Sequence, residues 1–313
     1  NVAPNPPPEA AGHGPAVVIG GMHRSGTSLL ASLFEGAGLS IGCRLLGDGN
    51  GNEAGHFEDL DFHDFHERAL IGSGLAPEGF TPCAEPEIPV TLVAEADALI
   101  AARRAAGGLW GWKDPRTTLF LEFWAGRLPE ARFVFVFRRP WEVVDSFFRR
   151  GDPAFAFNPL LAIRVWLHYN RQILAFIGRH PDRCLIRETT QVATAARKVF
   201  AAVRKQLGVP VGEPPERFRP EMLGSDAEGW QAGLVAASCP EAIEVYHRLC
   251  REAGSTPVAH DACRLSLAEI GVIEWARAAR MQREVAEVRR EWVNLRVASA
   301  SREDEPPAAT KVA

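Results

Sequence analysis

Apolar residues lie along the chain in two arrangements, short unbroken runs and longer stretches with helical spacing, and the two alternate. The runs Ala16-Val17-Val18-Ile19, Leu109-Trp110-Gly111-Trp112, Phe133-Val134-Phe135-Val136-Phe137 and Cys184-Leu185-Ile186 predict strands near 16–20, 109–112, 133–137 and 184–186. The run 133–137 is the clearest of them, apolar on every residue, as a strand covered on both faces is. Helical spacing predicts helices near 27–36, 60–70, 89–105, 158–178, 190–207 and 240–252. Another starts at Pro140, a residue suited to a first helical turn. In 158–178 the residues Leu160, Ile163, Leu167, Ile173, Leu174 and Ile177 make one apolar stripe. Strands alternating with helices predict an α/β domain, a mostly parallel sheet with helices on both faces in three layers.

The ligands of such a sheet sit beyond the carboxyl ends of its strands. Three polar segments follow strands directly: Gly21-Met22-His23-Arg24-Ser25-Gly26-Thr27-Ser28, then Lys113-Asp114-Pro115-Arg116, then Arg138-Arg139-Pro140. The first is a glycine-rich loop between a strand and a helix, the layout of a phosphate cradle. Its backbone N–H groups and the positive end of the helix dipole face one anion. Against the nucleotide-triphosphatase pattern G-x-x-x-x-G-K-[ST], Gly21, Gly26 and Ser28 fit, but Thr27 stands at the lysine. That lysine reaches the β- and γ-phosphates, so the loop reads as P-loop-like and built for another anion, with Arg24 as its cation. Arg138 and Ser146, eight residues apart, form a second anion pair of guanidinium fork and hydroxyl.

Residues 1–14 are rich in proline and read as a disordered linker, and the chain starts without methionine, which fits a piece of a longer or processed protein. The main domain is expected at 15–263, a C-terminal amphipathic helix at 264–297 and a disordered tail at 298–313. Gly47-Asp48-Gly49-Asn50-Gly51-Asn52 is expected to be a mobile surface loop. In the C-terminal helix Met281, Val285, Val288, Trp292 and Leu295 recur at spacings 4,3,4,3, flanked by Arg280/Glu284 and Arg283/Glu287. This short seam packs on its own domain, pairs with a second chain or joins a neighbouring domain. No internal repeat is visible.

Composition narrows the partners. The 313 residues carry a formal net charge of -4, and the pI is near 6.2. No basic balance points to nucleic acid or an acidic membrane, so an anion site must be a local pocket. No apolar run reaches the length of a membrane span and no signal peptide is visible. The six cysteines, Cys43, Cys83, Cys184, Cys239, Cys250 and Cys263, contain no C-x-x-C and read as reduced thiols of a cytoplasmic protein.

Residues 18–30, Val18-Ile19-Gly20-Gly21-Met22-His23-Arg24-Ser25-Gly26-Thr27-Ser28-Leu29-Leu30, resemble the 5′-phosphosulfate loop of sulfotransferases that use 3′-phosphoadenosine 5′-phosphosulfate (PAPS). Residues 135–146, with Arg138 and Ser146 at the same spacing of eight, look like their 3′-phosphate signature. Lys113-Asp114-Pro115 resembles a segment of the Golgi and tyrosylprotein branch, and Arg116 follows it as in many bacterial members. Gly55-His56-Phe57-Glu58-Asp59 looks like the segment bearing the catalytic glutamate of that branch. The similarity spans about residues 16–252. Cytosolic members carry lysine where Arg24 stands and use histidine as base, so the chain is more similar to the arginine-loop branch. Arg187-Glu188-Thr189-Thr190 stands where the family often has another segment. No late 3′-phosphate loop can be matched, although Arg217, Arg219 and Ser225 lie in its region.

The resemblance implies a sulfotransferase with PAPS as co-substrate, PAP (3′,5′-adenosine diphosphate) as product and no metal requirement. Gly21, His23, Arg24, Ser25, Gly26, Thr27, Ser28, Arg138 and Ser146 would hold the nucleotide. Glu58 would be the general base, with His56, Asp59 and His63 as fallbacks, while Lys113 and Arg24 stabilise the leaving oxygen. The acceptor class stays open: carbohydrate, lipid, small metabolite or peptide. A P-loop-type nucleotide kinase or nucleotidase, or a non-catalytic nucleotide-binding scaffold, are the competing readings. His63 and His66, three apart among carboxylates, raise a metal site, although a polar helix face is the commoner cause of such a cluster. Trp166 and Asn170 read as core packing and a buried amide contact.

Overall fold

The computed structural model describes residues 15–47, 56–82, 86–216, 229–258 and parts of 266–292. The chain divides into two compact units, Asn1–His260 and Asp261–Ala313. The first unit is an α/β fold around a four-stranded parallel sheet. Strand β1 is Val17–Gly20 and leads through the glycine loop into α1, Thr27–Gly36. Helices α2, Leu60–Gly72, and α3, Val90–Ala106, precede β2, Gly111–Lys113. A 3-10 turn, Pro115–Leu119, and α4, Leu121–Arg127, lead to β3, Arg132–Phe137. Helices α5 (Pro140–Arg150), α6 (Pro153–Phe157) and α7 (Pro159–Arg179) follow. Then come β4, Cys184–Glu188, and helices α8 (Thr189–Thr194), α9 (Ala196–Leu207), α10 (Gly229–Ser238) and α11 (Pro240–Ala253).

The sheet order is β2-β1-β3-β4, all parallel. Successive side chains of β3 serve opposite cores, as the strand period of two requires. Phe133, Phe135 and Phe137 join Val18 against α2–α7, α10 and α11. Val134 and Val136 join Val17 and Ile19 against α1, α8 and α9. This two-sided burial is why the strand is apolar at every step. Gly111 passes so close to β1 that a Cβ would lie 2.0 Å from the Val17 carbonyl oxygen.

The structure departs from the expected elements in a few places. The helix expected at 190–207 is two, broken at Ala195, where the backbone turns to φ -140. In α7 the expected stripe is buried at Ile163, Leu167, Ile173 and Leu174 and is joined by Val165, Trp166 and Tyr169, while Leu160 is exposed. Leu160 sits in the first turn, before the helix reaches the core. Helices α4, α6 and α10 were not foreseen: α4 and α6 are too short for a periodic signal, and α10 is small and weakly patterned. Residues 1–14, 48–52, 217–228, 298–313 and Leu295 lie outside the described residues. Among the described residues no helix is long and apolar enough to cross a membrane. Cys43, Cys184, Cys239 and Cys250 are unpaired thiols.

Candidate active site

β1, β2 and β3 end together, so the loop 21–28, Lys113 and Arg138 meet at one sheet edge. The loop is shaped by close approach. Gly21 has φ +146, and a Cβ there would lie 2.4 Å from the Val136 carbonyl oxygen. The Gly21 N–H donates to Thr118 Oγ1 at 3.2 Å. Gly26, at φ +85, begins α1, and its Cα faces Thr189, whose Cγ2 would lie 2.6 Å from an added Cβ. The Thr189 hydroxyl lies between the Ser25 and Phe137 carbonyls, at 2.5 and 2.8 Å, and its one proton is donated to either of them. Thr189 thus ties the loop to the β3 and β4 ends. Ser25 Oγ is buried with no partner among the described residues, and no side chain caps α1.

Arg24 adopts φ +64, a left-handed conformation unusual for a side chain of its size. From there its Nε donates to Ser146 Oγ on α5 at 2.9 Å. The family resemblance implies that Arg24 and Ser146 stand at opposite ends of a nucleotide; here they touch. Burial lowers the Arg24 pKa, and the neighbouring Arg150 and Arg138 lower it further. An anion among them would relieve that repulsion. Arg138 Nε donates to Glu142 Oε2 at 2.8 Å, one turn into α5, and its carbonyl accepts from Trp166 Nε1 at 3.0 Å. Trp166 is therefore core packing with a polar tip. Asn170 donates to the Trp166 carbonyl at 2.8 Å and leaves its Oδ1 buried without a partner among the described residues.

Lys113 leaves the end of β2 and is buried. Its Nζ donates to Glu58 Oε1 at 2.7 Å, to the His56 carbonyl at 2.9 Å and to Ser28 Oγ at 3.1 Å. All three N–H groups have a partner. Glu58 precedes α2, and Phe57 at φ +54 turns the chain into that position. The carboxylate capping α2 is the next residue, Asp59, which accepts from the Asp61 N–H at 3.1 Å and from Arg103 Nη2 at 2.6 Å. Burial raises the Asp59 pKa despite that guanidinium. The other Glu58 oxygen, Oε2, lies 3.7 Å from Arg116 Nη1 and 4.0 Å from His63 Nε2. Of the fallback bases, His56 meets Lys113 through its carbonyl, Asp59 faces Arg103, and His63 lies beside Glu58.

Behind this pair lies a network not foreseen from sequence. His66, on α2, sits 2.8 Å from Asp114 through Nδ1, and Trp124 Nε1 donates to its Nε2 at 2.9 Å. Those partners fix His66 as the neutral tautomer with the proton on Nδ1. Asp114 also accepts from the Arg116 N–H at 3.0 Å and from Arg116 Nη1 at 3.1 Å. Burial alone would raise Asp114, but Arg116 and the His66 hydrogen bond override it and hold it well below the carboxylate range. His66 is thereby turned away from His63, so the two do not form the histidine pair raised as a metal site. His63, Asp64 and Glu67 do offer three ligand atoms within 4.8 Å of one another. His23 stands edge-on to Phe80 and Tyr169, at centroid distances of 5.3 and 6.2 Å. The residue keeps some exposure, but its Nε2 is shielded and has no partner among the described residues. Burial, then Arg116, hold its pKa well below the ordinary value.

Thr118, Thr189, Arg116, His66 and Trp124 are the parts of this site to which the sequence reading gave no such role. Thr189 had a signal: a threonine directly after a strand of a parallel sheet belongs to the ligand edge.

No family model and no curated protein sequence matches the chain. Among solved structures, it is similar to a sulfotransferase domain from the curacin biosynthetic pathway, with a TM-score of 0.41 and 16% identity over 78% of this chain and 99% of that one. It is similar to the sulfotransferase domain of the Synechococcus PCC 7002 olefin synthase, with a TM-score of 0.39 and 22% identity over 85% and 96%. It is also similar to a sulfotransferase from Alicyclobacillus acidocaldarius, with a TM-score of 0.49 and 15% identity over 79% and 98%.

Proposed function

We propose that this protein is a PAPS-dependent sulfotransferase that moves a sulfuryl group to an acceptor hydroxyl or amine, with PAP as the other product. The observation that carries the reading is the position of Lys113 Nζ, which joins Ser28 of the glycine loop to Glu58 at one sheet edge. A cation between an anion-binding loop and a buried carboxylate suits a reaction that needs a stabilised leaving oxygen beside a proton acceptor. The donor set fits a ligand carrying anions at two ends. Gly21, His23, Ser25, Gly26, Thr27 and Ser28 line one end, with the Ser25 hydroxyl still to be satisfied. Arg138 and Ser146 line the other, and Arg24 spans the two. PAPS would supply an activated sulfuryl group whose bridging S–O bond breaks as the acceptor oxygen or nitrogen bonds to sulfur. Lys113 and Arg24 then neutralise the charge left on the 5′-phosphate, and Glu58 takes the acceptor's proton. A kinase reading is disfavoured by Thr27 at the lysine position and by Arg138 and Arg139 directly after β3, where a magnesium-binding aspartate would be expected.

Titration calorimetry with PAP and AMP, without magnesium, tests the nucleotide. PAP is expected to bind more tightly, and Arg138→Ala to weaken it by about 1.5–3 kcal/mol, the worth of hydrogen bonds to charged groups, while barely changing AMP. Equal binding of the two by the unmodified protein would defeat the assignment. An acceptor screen with labelled PAPS, read by mass spectrometry, separates an enzyme from a nucleotide-binding scaffold.

A further inference from the structure

Residues 281–292 of the second unit form a continuous helical stretch. Met281, Val285 and Val288 are each more than half exposed on it, and Trp292 continues their spacing. A helix this short is marginal in water by itself, and its stability comes chiefly from burying an apolar face. Charge decides what such a face would take. The stretch holds three arginines and three glutamates, so it lacks the net positive charge with which an interfacial helix holds an anionic membrane. The charges are ordered instead. With Val285 and Trp292 at a and Met281 and Val288 at d of a heptad, Glu284 and Glu291 fall at g and Arg289 at e. In a parallel, in-register pair a g residue faces the e residue of the following heptad, so Glu284 meets Arg289 of the second copy, twice by symmetry. The sequence keeps the order, with Arg296 at the next e position opposite Glu291. An antiparallel pair would set glutamate against glutamate and arginine against arginine.

We propose that residues 281–292 are one strand of a parallel, in-register coiled coil whose partner is a second copy of this chain. Sedimentation equilibrium of the full chain over a range of concentrations tests this. A monomer–dimer equilibrium is expected, because two heptads make a weak seam. Glu284→Arg alone and Arg289→Glu alone should each move its midpoint to about threefold higher concentration or more, and the double exchange should restore it. Val285→Asp with Val288→Asp should leave a monomer whose thermal unfolding matches the parent's main transition. Three results overturn the proposal. They are a monomer throughout for the unmodified chain, a dimer indifferent to these substitutions, or a single charge reversal that tightens the dimer, which marks antiparallel pairing.

Discussion

Lys113 has three N–H groups and three partners, and one of those partners is a carboxylate buried with it. Removing one member of a buried ion pair costs about 3–5 kcal/mol, because the other charge stays behind in a poor solvent. Such a pair is weak evidence for stability as its purpose, since apolar residues of similar size would hold the same space. At a sheet edge beside an anion loop, the chemistry is the better reason for it. Glu58→Gln tests the role: it keeps the size and the oxygen facing Lys113 and loses the basicity. The rate on the true acceptor should fall about 10²–10⁴-fold, the usual worth of a general base, with PAP affinity largely unchanged. A rate within a few-fold of the parent would move the role to His63, the fallback that lies beside Glu58. Glu58 and Lys113 could be singled out because each lies in a segment that resembles one of a known family. Their contact was not legible, since the φ +54 of Phe57 that aims Glu58 leaves no mark in the residue order.

Among the elements, the strands and their end loops were the legible part. An apolar run buried on both faces carries its own signal, and the segment after it must lie at the ligand edge. What sequence did not carry is how those loops are held. Thr189 at the start of α8 locks the loop before α1, and His66 on α2 reaches Asp114 at the end of β2. These ties cross 164 and 48 residues, distances over which no periodicity speaks. Two glycines separate backbone need from ordinary helix propensity. Gly26 has a left-handed φ and no room for a Cβ, whereas Gly178 lies in α7 with open space beside it. Gly26→Ala should cost about 1–3 kcal/mol through strain and weaken PAP with it. Gly178→Ala should stabilise by about 0.5–1 kcal/mol, the helical preference for alanine. Chemical denaturation of both variants reads the difference. A Gly26→Ala variant as stable as its parent would mean that the loop does not need this conformation.

For the molecule as a whole, acid stability should be lost in two steps with different causes. His23 has its pKa lowered from 6.5 by burial first and by Arg116 next, so the folded chain keeps the ring neutral where the unfolded chain would charge it. Its contribution is fully present above the unfolded value and is lost as pH falls towards the folded one, by at most about 1.4 kcal/mol per pH unit. Asp114 is lowered from 3.8 by Arg116 and His66 against the pull of burial. Its contribution is present above 3.8 and goes only as pH falls below that value. Urea unfolding from about pH 7.5 to about pH 5.5 therefore isolates the histidine step. His23→Gln, polar and uncharged at any pH, should flatten that segment and leave the loss below about pH 4 in place, since Asp114 is untouched. An unchanged slope between about pH 7.5 and 5.5 would show that the folded chain does not hold the His23 ring neutral. If the proposed function holds, the steps should also separate by ligand: PAP bound beside Arg24 would place negative charge near His23, favour its protonation and shrink the first step but not the second.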